Sequence, residues 1–382
     1  MKVNVVLVGV GGFGMIHLTE ALEGKTKDLI NIIGVVEPYP QFCPKIDAIK
    51  ERNIPIYSNL TDFYKEHTAD LAVLSTPIQF HADQTIYCME HGSNVLCEKP
   101  LCGSTEDAQR MLDAQEKYGK FVLIGYQWST SETILNIKKD ILSGVYGKLK
   151  SMKTLVLWPR GAKYFNRSTG WAGKKYTADG VAVFDSIANN ACAHYLHNMF
   201  FVLGDTMGTS KMPVSIHGEL ARANSCIENF DTSVISFKFE DGGEGYFIAS
   251  HAIEKNFDPV LCYEFENGRI VSVPNAQSGE LIGELNDGRK INYGKADVAN
   301  NDYKLQVAVR LCMGEKHDYC GIEGASVQTK VINYIQNNCE IMNFKNTHVV
   351  NDTTVVDGLY DLMHEIYANP EVGKLEKFVK EN

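Results

Sequence analysis

The chain has 382 residues, 44% of them apolar and 22% charged, with a net charge of −10. That length predicts about two domains, since single cores stop growing at roughly 250–300 residues. The acidic balance argues against nucleic acid or an anionic membrane as the main partner, because both need a basic footprint, and no stretch approaches the ~20 apolar residues of a membrane helix.

Met1–Gly9 superficially has the charged-then-apolar profile of a signal peptide. It lacks a small-residue cleavage site and runs into a glycine-rich turn, so Val3–Val8 is expected as a first strand, β-branched and buried on both faces. The turn is Gly9-Val10-Gly11-Gly12-Phe13-Gly14, followed by a helix over Met15–Glu23. Strand, turn and helix in this order suit a dinucleotide: Gly9 for the tight turn, Gly11 for approach of the pyrophosphate, Gly14 for helix–strand packing. A glycine-rich structural turn is the plain alternative. Ile30–Glu37 is the next buried strand, ended by Pro38. Glu37 at its tip can accept from the adenosine ribose hydroxyls and would repel a 2′-phosphate, which favours NAD over NADP.

Asp70–Ser75 is another short strand, left through Ser75-Thr76-Pro77 at the edge where ligands bind in open α/β sheets. His81 follows; taken alone it suits a helix start or packing better than a ligand contact. Gln84–Glu90 is expected as helix, Ser93–Cys97 as strand, Thr105–Lys117 as helix capped by Ser104, and Phe121–Gly125 as strand. Repeated βα units specify a doubly wound parallel sheet over residues 1–124. Glu98-Lys99-Pro100 closes the Ser93–Cys97 strand. A lysine there can sit beside a nicotinamide, with its pKa lowered by partial burial or its charge stabilising a developing alkoxide.

Beyond residue 124 the texture changes. Lys148–Trp158, Val214–Leu220, Thr232–Glu240 and Gly245–Ser250 alternate with period two, and Asp241-Gly242, Asn267-Gly268 and Asp287-Gly288 favour hairpin turns. Residues 125–382 are therefore expected to form a second α/β domain with a mostly antiparallel sheet. An insertion, 159–212, holds a helical piece at about Ser186–Leu203, and Val327–Gln336 and Val355–Ile366 are further helices. On the first of these, Asn190, His194 and His197 share one face, either as an active-site wall or as hydrogen-bonded core. No third ligand stands at metal spacing. Trp128, Trp158, Arg160, Tyr164 and Trp171 could stack on sugar rings or serve as packing. The ten cysteines form no Cys-x-x-Cys pair and several lie in apolar runs, as in a protein of a reducing cytoplasm without disulfides.

These elements resemble the glucose–fructose oxidoreductase, inositol dehydrogenase and MocA family. The resemblance covers nearly the whole chain and rests on Gly9–Gly14, Thr76-Pro77 with His81, Glu98-Lys99-Pro100, Gly144-Val145-Tyr146-Gly147-Lys148, and the helix from His194 to Gly204. It implies a Rossmann domain, a C-terminal α/β domain whose large, mostly antiparallel sheet supports homo-oligomers, and a nicotinamide cofactor. The cofactor would be touched by the Gly9–Gly14 turn (Gly9, Gly11, Gly12, Phe13, Gly14), by Glu37, by Ser75, Thr76, Pro77 and His81, and by Glu98 and Lys99. The family's catalytic lysine matches Lys99, and the histidine of its Asp-x-x-x-His pair matches His194. Asn190 occupies the aspartate position; it can orient a group but cannot carry charge, which leaves His194 a weaker base. Asp185 lies off that face. The substrate set becomes Lys99, Asn190, His194 and the aromatic and basic cluster, and the expected reaction is oxidation of a hydroxyl carbon of a sugar, cyclitol or related polyol. A redox-neutral glycosidase or epimerase that keeps its NAD, and a non-catalytic NAD- or sugar-sensing protein, are the alternatives.

Overall fold

The computed structural model describes residues 2–166, 170–272, 279–296 and 303–381. The chain forms two compact units: residues 1–131 with 207–209 and 298–326, and residues 132–206 with 210–297 and 327–382.

In the first unit strands and helices alternate: β1 (Val3–Val8), α1 (Met15–Glu23), β2 (Ile30–Val36), α2 (Ile46–Glu51), β3 (Ile56–Tyr57), α3 (Leu60–Glu66), β4 (Leu71–Leu74), α4 (His81–Glu90), β5 (Asn94–Cys97), α5 (Thr105–Tyr118) and β6 (Val122–Ile124). The six strands are parallel, in the order β3-β2-β1-β4-β5-β6. Both faces are covered, so Val5, Val6 and Leu7 are buried whichever way they point. The Ser104 hydroxyl accepts from the Asp107 N–H at 3.1 Å to start α5, and Gly119 at φ 64° ends it. The order reverses between β1 and β4, so the glycine-rich turn and Ser75-Thr76-Pro77 leave neighbouring strands at the same edge, where ligands enter such sheets.

The second unit holds α6 (Glu132–Leu142), β7 (Leu149–Leu157), α7 (Ala162–Phe165), α8 (Ala193–Phe201), β8 (Ser215–Arg222), β9 (Thr232–Lys238), β10 (Glu244–Ser250), β11 (Phe257–Phe265), β12 (Gly268–Ser272), β13 (Glu280–Leu285) and β14 (Lys290–Lys295). After α9 (Tyr303–Cys312), which returns to the first unit, come α10 (Ile322–Asn338), β15 (Ile341–Asn343), β16 (His348–Val350), β17 (Thr353–Val355), α11 (Leu359–Ala368) and α12 (Lys374–Glu381). Nine strands form one sheet, β14-β13-β12-β11-β7-β10-β9-β8-β15, antiparallel except for the pairs β7–β10 and β8–β15. The three Asx-Gly pairs fall at the β9–β10, β11–β12 and β13–β14 connections. Tyr146, fully buried, ties the α6–β7 turn to the sheet: its hydroxyl meets that of Tyr293 at 2.9 Å, and Tyr293 donates to Asp140 at 2.6 Å.

One face of this sheet packs on α8 and α10, with Phe200 against Phe237 at 4.9 Å and Ile335 beside Gly218. On the other, Leu359, Met363 and Ile366 of α11 and Leu375 and Val379 of α12 join Leu155, Leu157, Val234 and Ile248 in one core. Each such buried side chain stabilises by roughly 1.5–3 kcal/mol. Two expected helices change. The piece expected from Ser186 becomes helix only at Ala193, because Asn189 turns back on its own backbone: its amide donates to the Phe184 carbonyl at 3.2 Å and its N–H bonds the Ser186 hydroxyl. The helix expected from Val355 starts at Leu359. Asn351 and Asp352, both at positive φ, make a hairpin turn that takes Thr353–Val355 into β17.

Candidate active site

The first part of the site is the turn after β1. Gly9 has φ +81°, and a Cβ there would lie 2.8 Å from the Ser75 carbonyl oxygen; a Cβ on Gly14 would run into the Gly9 carbonyl. Backbone geometry thus demands both glycines. A Cβ on Gly12 would meet open space, and Phe13 stands 43% exposed. No side chain caps α1; the Met15 and Ile16 N–H groups bond the Gly12 and Phe13 carbonyls at 3.1 and 3.0 Å, so what the helix start offers an anion is chiefly its positive dipole end. Glu37, just past β2, folds over this turn: Oε2 accepts from the N–H of Val10 at 3.0 Å and of Gly11 at 3.1 Å, and Oε1 from that of Tyr39 at 3.1 Å. The expected ribose acceptor therefore also fastens the turn, with about one of its four acceptor positions left over. Turn, uncapped helix and acid fit the pyrophosphate and adenosine ribose of a dinucleotide.

Glu98 and His81 differ from expectation. Both are buried, at 5% and 1% exposure, and bond to protein, so neither side chain offers itself to a cofactor. Glu98 Oε1 takes His17 Nε2 at 2.8 Å and the Lys304 ammonium, while Oε2 accepts from the Lys99 N–H at 3.2 Å. Lys304 also donates to the Gly125 carbonyl at 3.2 Å and lies 4.9 Å over the Phe13 ring. Burial works to raise the Glu98 carboxyl, but Lys304 and His17 outweigh it and hold it well below the usual carboxylate range. His81 sits between the Pro100 and Thr76 carbonyls, at 2.8 Å from each. Its burial favours the neutral ring, which has one N–H for the two acceptors. It ties the turn after β4 to the one after β5. Thr76 spends its hydroxyl on Gln84 at 2.6 Å, and Ser75 is pinned through its N–H to the Val8 carbonyl at 2.9 Å. Lys99 remains half-buried, in a cis peptide with Pro100.

His17 and Lys304 are the partners that sequence reasoning missed. His17 lies within an expected helix, and Lys304 stands 206 positions from Glu98, so no local pattern connects them.

In the second unit, His194 is half-buried on the first turn of α8, and Asn190 is half-buried three residues before that helix, its N–H on the Ser186 carbonyl at 2.9 Å. The two lie close in the chain, yet no continuous helix gives them a common face. His197 is fully buried and stacks on Phe201 at 5.5 Å; burial, then the Lys138 charge, pushes its pKa down to about 3. It belongs to the core and not to an accessible wall. Asp185 is also structural, its carboxylate accepting from the Gly173 N–H at 2.6 Å.

Three of the five expected aromatic and basic residues come together. Arg160 lies 5.6 Å from the Trp158 ring and 5.2 Å from that of Tyr164. Trp158 meets Tyr195, the neighbour of His194, edge-on at 5.5 Å. His251, which the sequence did not single out, joins them through Tyr164 at 6.1 Å and the Trp158 carbonyl at 2.6 Å. Trp171 makes no ring contact with this group among the described residues, and Trp128 is buried in a short turn of the first unit.

Residues 3–126 match the family described as "Oxidoreductase family, NAD-binding Rossmann fold". That match covers about a third of the chain, and it is this segment that is similar to the glucose–fructose oxidoreductase, inositol dehydrogenase and MocA oxidoreductases. Among its relatives, the rhizopine catabolism protein MocA of Rhizobium meliloti is 29% identical over 143 residues, 37% of this chain and 43% of that protein. Inositol 2-dehydrogenase of Rhodococcus jostii is 26% identical over 150 residues, 38% of this chain and 39% of that one. These matches span about two-fifths of each relative. The fold extends further: the WlbA dehydrogenase from Bordetella pertussis, solved with NADH and UDP-GlcNAcA, superposes with a TM-score of 0.70 over 88% of this chain and 96% of its own, at 19% identity.

Proposed function

We propose that the protein is an NAD-dependent dehydrogenase that oxidises a hydroxyl carbon of a sugar, cyclitol or related polyol. The observation that carries this reading is the placement of Lys99: half-buried, on a turn fixed through Glu98, in the same unit as an uncapped glycine-rich turn. The inositol dehydrogenase relative and the sugar-nucleotide ligand of the WlbA dehydrogenase support the substrate class.

The Gly9–Gly14 turn and the N-terminus of α1 would hold the pyrophosphate, and Glu37 the adenosine ribose. Bound nicotinamide supplies the hydride acceptor. His194 takes the hydroxyl proton of the substrate as general base, suited to that role by the neutral imidazole's proton affinity. Lys99 stabilises the oxygen as it gains negative charge, and Asn190 orients substrate or imidazole. A carboxylate already holding the turn repels a 2′-phosphate, which favours NAD over NADP. Because Asn190 brings no negative charge to the family's aspartate position, a non-catalytic NAD- or sugar-sensing protein is the second reading. The ten free thiols fit a reducing cytoplasm. A second copy of the chain would pair through the outer face of β11–β14, where Glu264, Arg269, Glu284 and Lys290 surround half-buried Val271 and Ile282.

The test is substitution at both reacting positions. Lys99→Met and His194→Asn should each lower kcat by about 10²-fold or more, the usual scale for acid–base and charge-stabilising groups, with NAD affinity little changed. Turnover near wild type in either variant contradicts the assignment.

A further inference from the structure

We propose that the substrate is an anionic sugar or polyol whose carboxylate or phosphate group is bound by Arg160; this rests on the dehydrogenase reading above. A guanidinium carries five N–H donors along its planar edge. Among the described contacts Arg160 spends one of them, from Nη1 to the Pro159 carbonyl at 3.0 Å. Its Nε is shut away from solvent with no acceptor. The rings of Trp158 and Tyr164 meet the cation but accept no conventional hydrogen bond.

Arg160 is half-buried and has no carboxylate partner among the described residues, in a chain where 47 acidic residues outnumber 37 basic ones. Arg110, Arg269 and Arg289 pair with carboxylates, and Arg222, also half-buried without one, spends its donors on Asn343 Oδ1 and on the Ile227 and Glu228 carbonyls, so what marks Arg160 is its unspent donors. The acids of the same neighbourhood are otherwise engaged: Asp258 accepts from the Trp158 indole at 3.1 Å, and Asp352 from the Lys163 N–H at 2.9 Å.

The position suits a substrate contact. Arg160 follows the end of β7 and is held by its own N–H to the His251 carbonyl at 3.3 Å. Trp158 connects it by a single ring contact to Tyr195, beside His194. A sugar lying along that aromatic wall would present its oxyanion to the guanidinium and a hydroxyl toward the histidine. The planar fork matches a carboxylate or phosphate in bidentate fashion, which a neutral hydroxyl cannot reproduce.

The experiment is a titration of tryptophan emission in the NAD-saturated full-length protein with D-glucuronate, D-glucose 6-phosphate and D-glucose. At least one anion should bind about ten-fold or more tightly than glucose, as expected for one charge-assisted bidentate contact, and the favoured anion identifies carboxylate or phosphate as the source. Arg160→Gln should remove that preference, bringing the affinity for the favoured anion down to within about two-fold of that for glucose measured on the same variant. Arg160→Lys, which keeps the charge but not the fork, should lose part of it, and serves alone if the glutamine variant does not fold. Equal affinity for all three sugars, failure of both anions to bind, or an unaltered preference in the variants overturns the proposal. Anion preference without NADH formation from any of the three would tell against the dehydrogenase reading and leave the Arg160 assignment standing; NADH formed from glucose with no anion preference would do the reverse.

Discussion

At the scale of single residues, the buried ion pair under Lys99 is what separates this lysine from a solvated one. Glu98 is held by Lys304 and His17 and in turn accepts from the Lys99 N–H. Because the folded state holds the Glu98 carboxyl below its ordinary value, it binds that proton less tightly than the unfolded chain does. The resulting stabilisation is complete above the ordinary carboxylate pKa and is lost as pH falls below it. Lys304→Met leaves a buried carboxylate short of its main counter-charge, which typically costs about 3–5 kcal/mol. Urea unfolding across a pH series should show that loss near neutrality, with acid destabilisation beginning at a higher pH than in the wild type, and Glu98→Gln in the same chain should recover part of it. An unchanged midpoint would mean that the pair contributes nothing. That Glu98 and Lys99 follow a buried strand was legible from the chain; that the Glu98 side chain is buried against protein partners, and not offered to a cofactor, was not. Nor was Lys304, since a lysine within a helix looks the same whether it faces water or an ion-pair partner.

At the scale of elements, local patterns held where one signal dominated and failed where side chains competed with the backbone. The apolar runs of β1, β4 and β5 are buried on both faces and left little room for another reading. The Asx-Gly hairpins likewise fell at strand connections. Between Ser186 and Cys192 apolar spacing suggests helix, but Asn189 bonds the Val183 and Phe184 carbonyls and holds the segment as turns. That difference moves Asn190 out of α8, so its relation to His194 depends on turn geometry that periodicity cannot supply. The Gln328 amide, bonded to the Ala188 carbonyl at 3.2 Å, supports those turns from α10, again across a long stretch of chain. Of the aromatic cluster, Trp158, Arg160 and Tyr164 lie within seven positions at the end of β7 and were found together; His251 reaches them from past β10 and was invisible.

At the scale of the whole molecule, a linear boundary near residue 125 misses the return of residues 298–326 to the first unit, which brings α9 and Lys304 with it. α11 and α12 close part of one face of the large sheet, and the proposed pairing of two copies would use the rest of that face, β11–β14. Light scattering on an eluting column should give a mass above the 42.6 kDa of one chain, and Val271→Glu with Ile282→Lys should return it to that value. A monomeric wild type would contradict the pairing. The catalytic assignment is tested most directly by counting NADH: purified protein is mixed with NAD and a panel of sugars, sugar acids, inositols and polyols, beside Lys99→Met. A dehydrogenase predicts NADH in large molar excess over protein from at least one compound and none from the variant, whereas NAD binding with no more than one NADH per chain from every compound would contradict it.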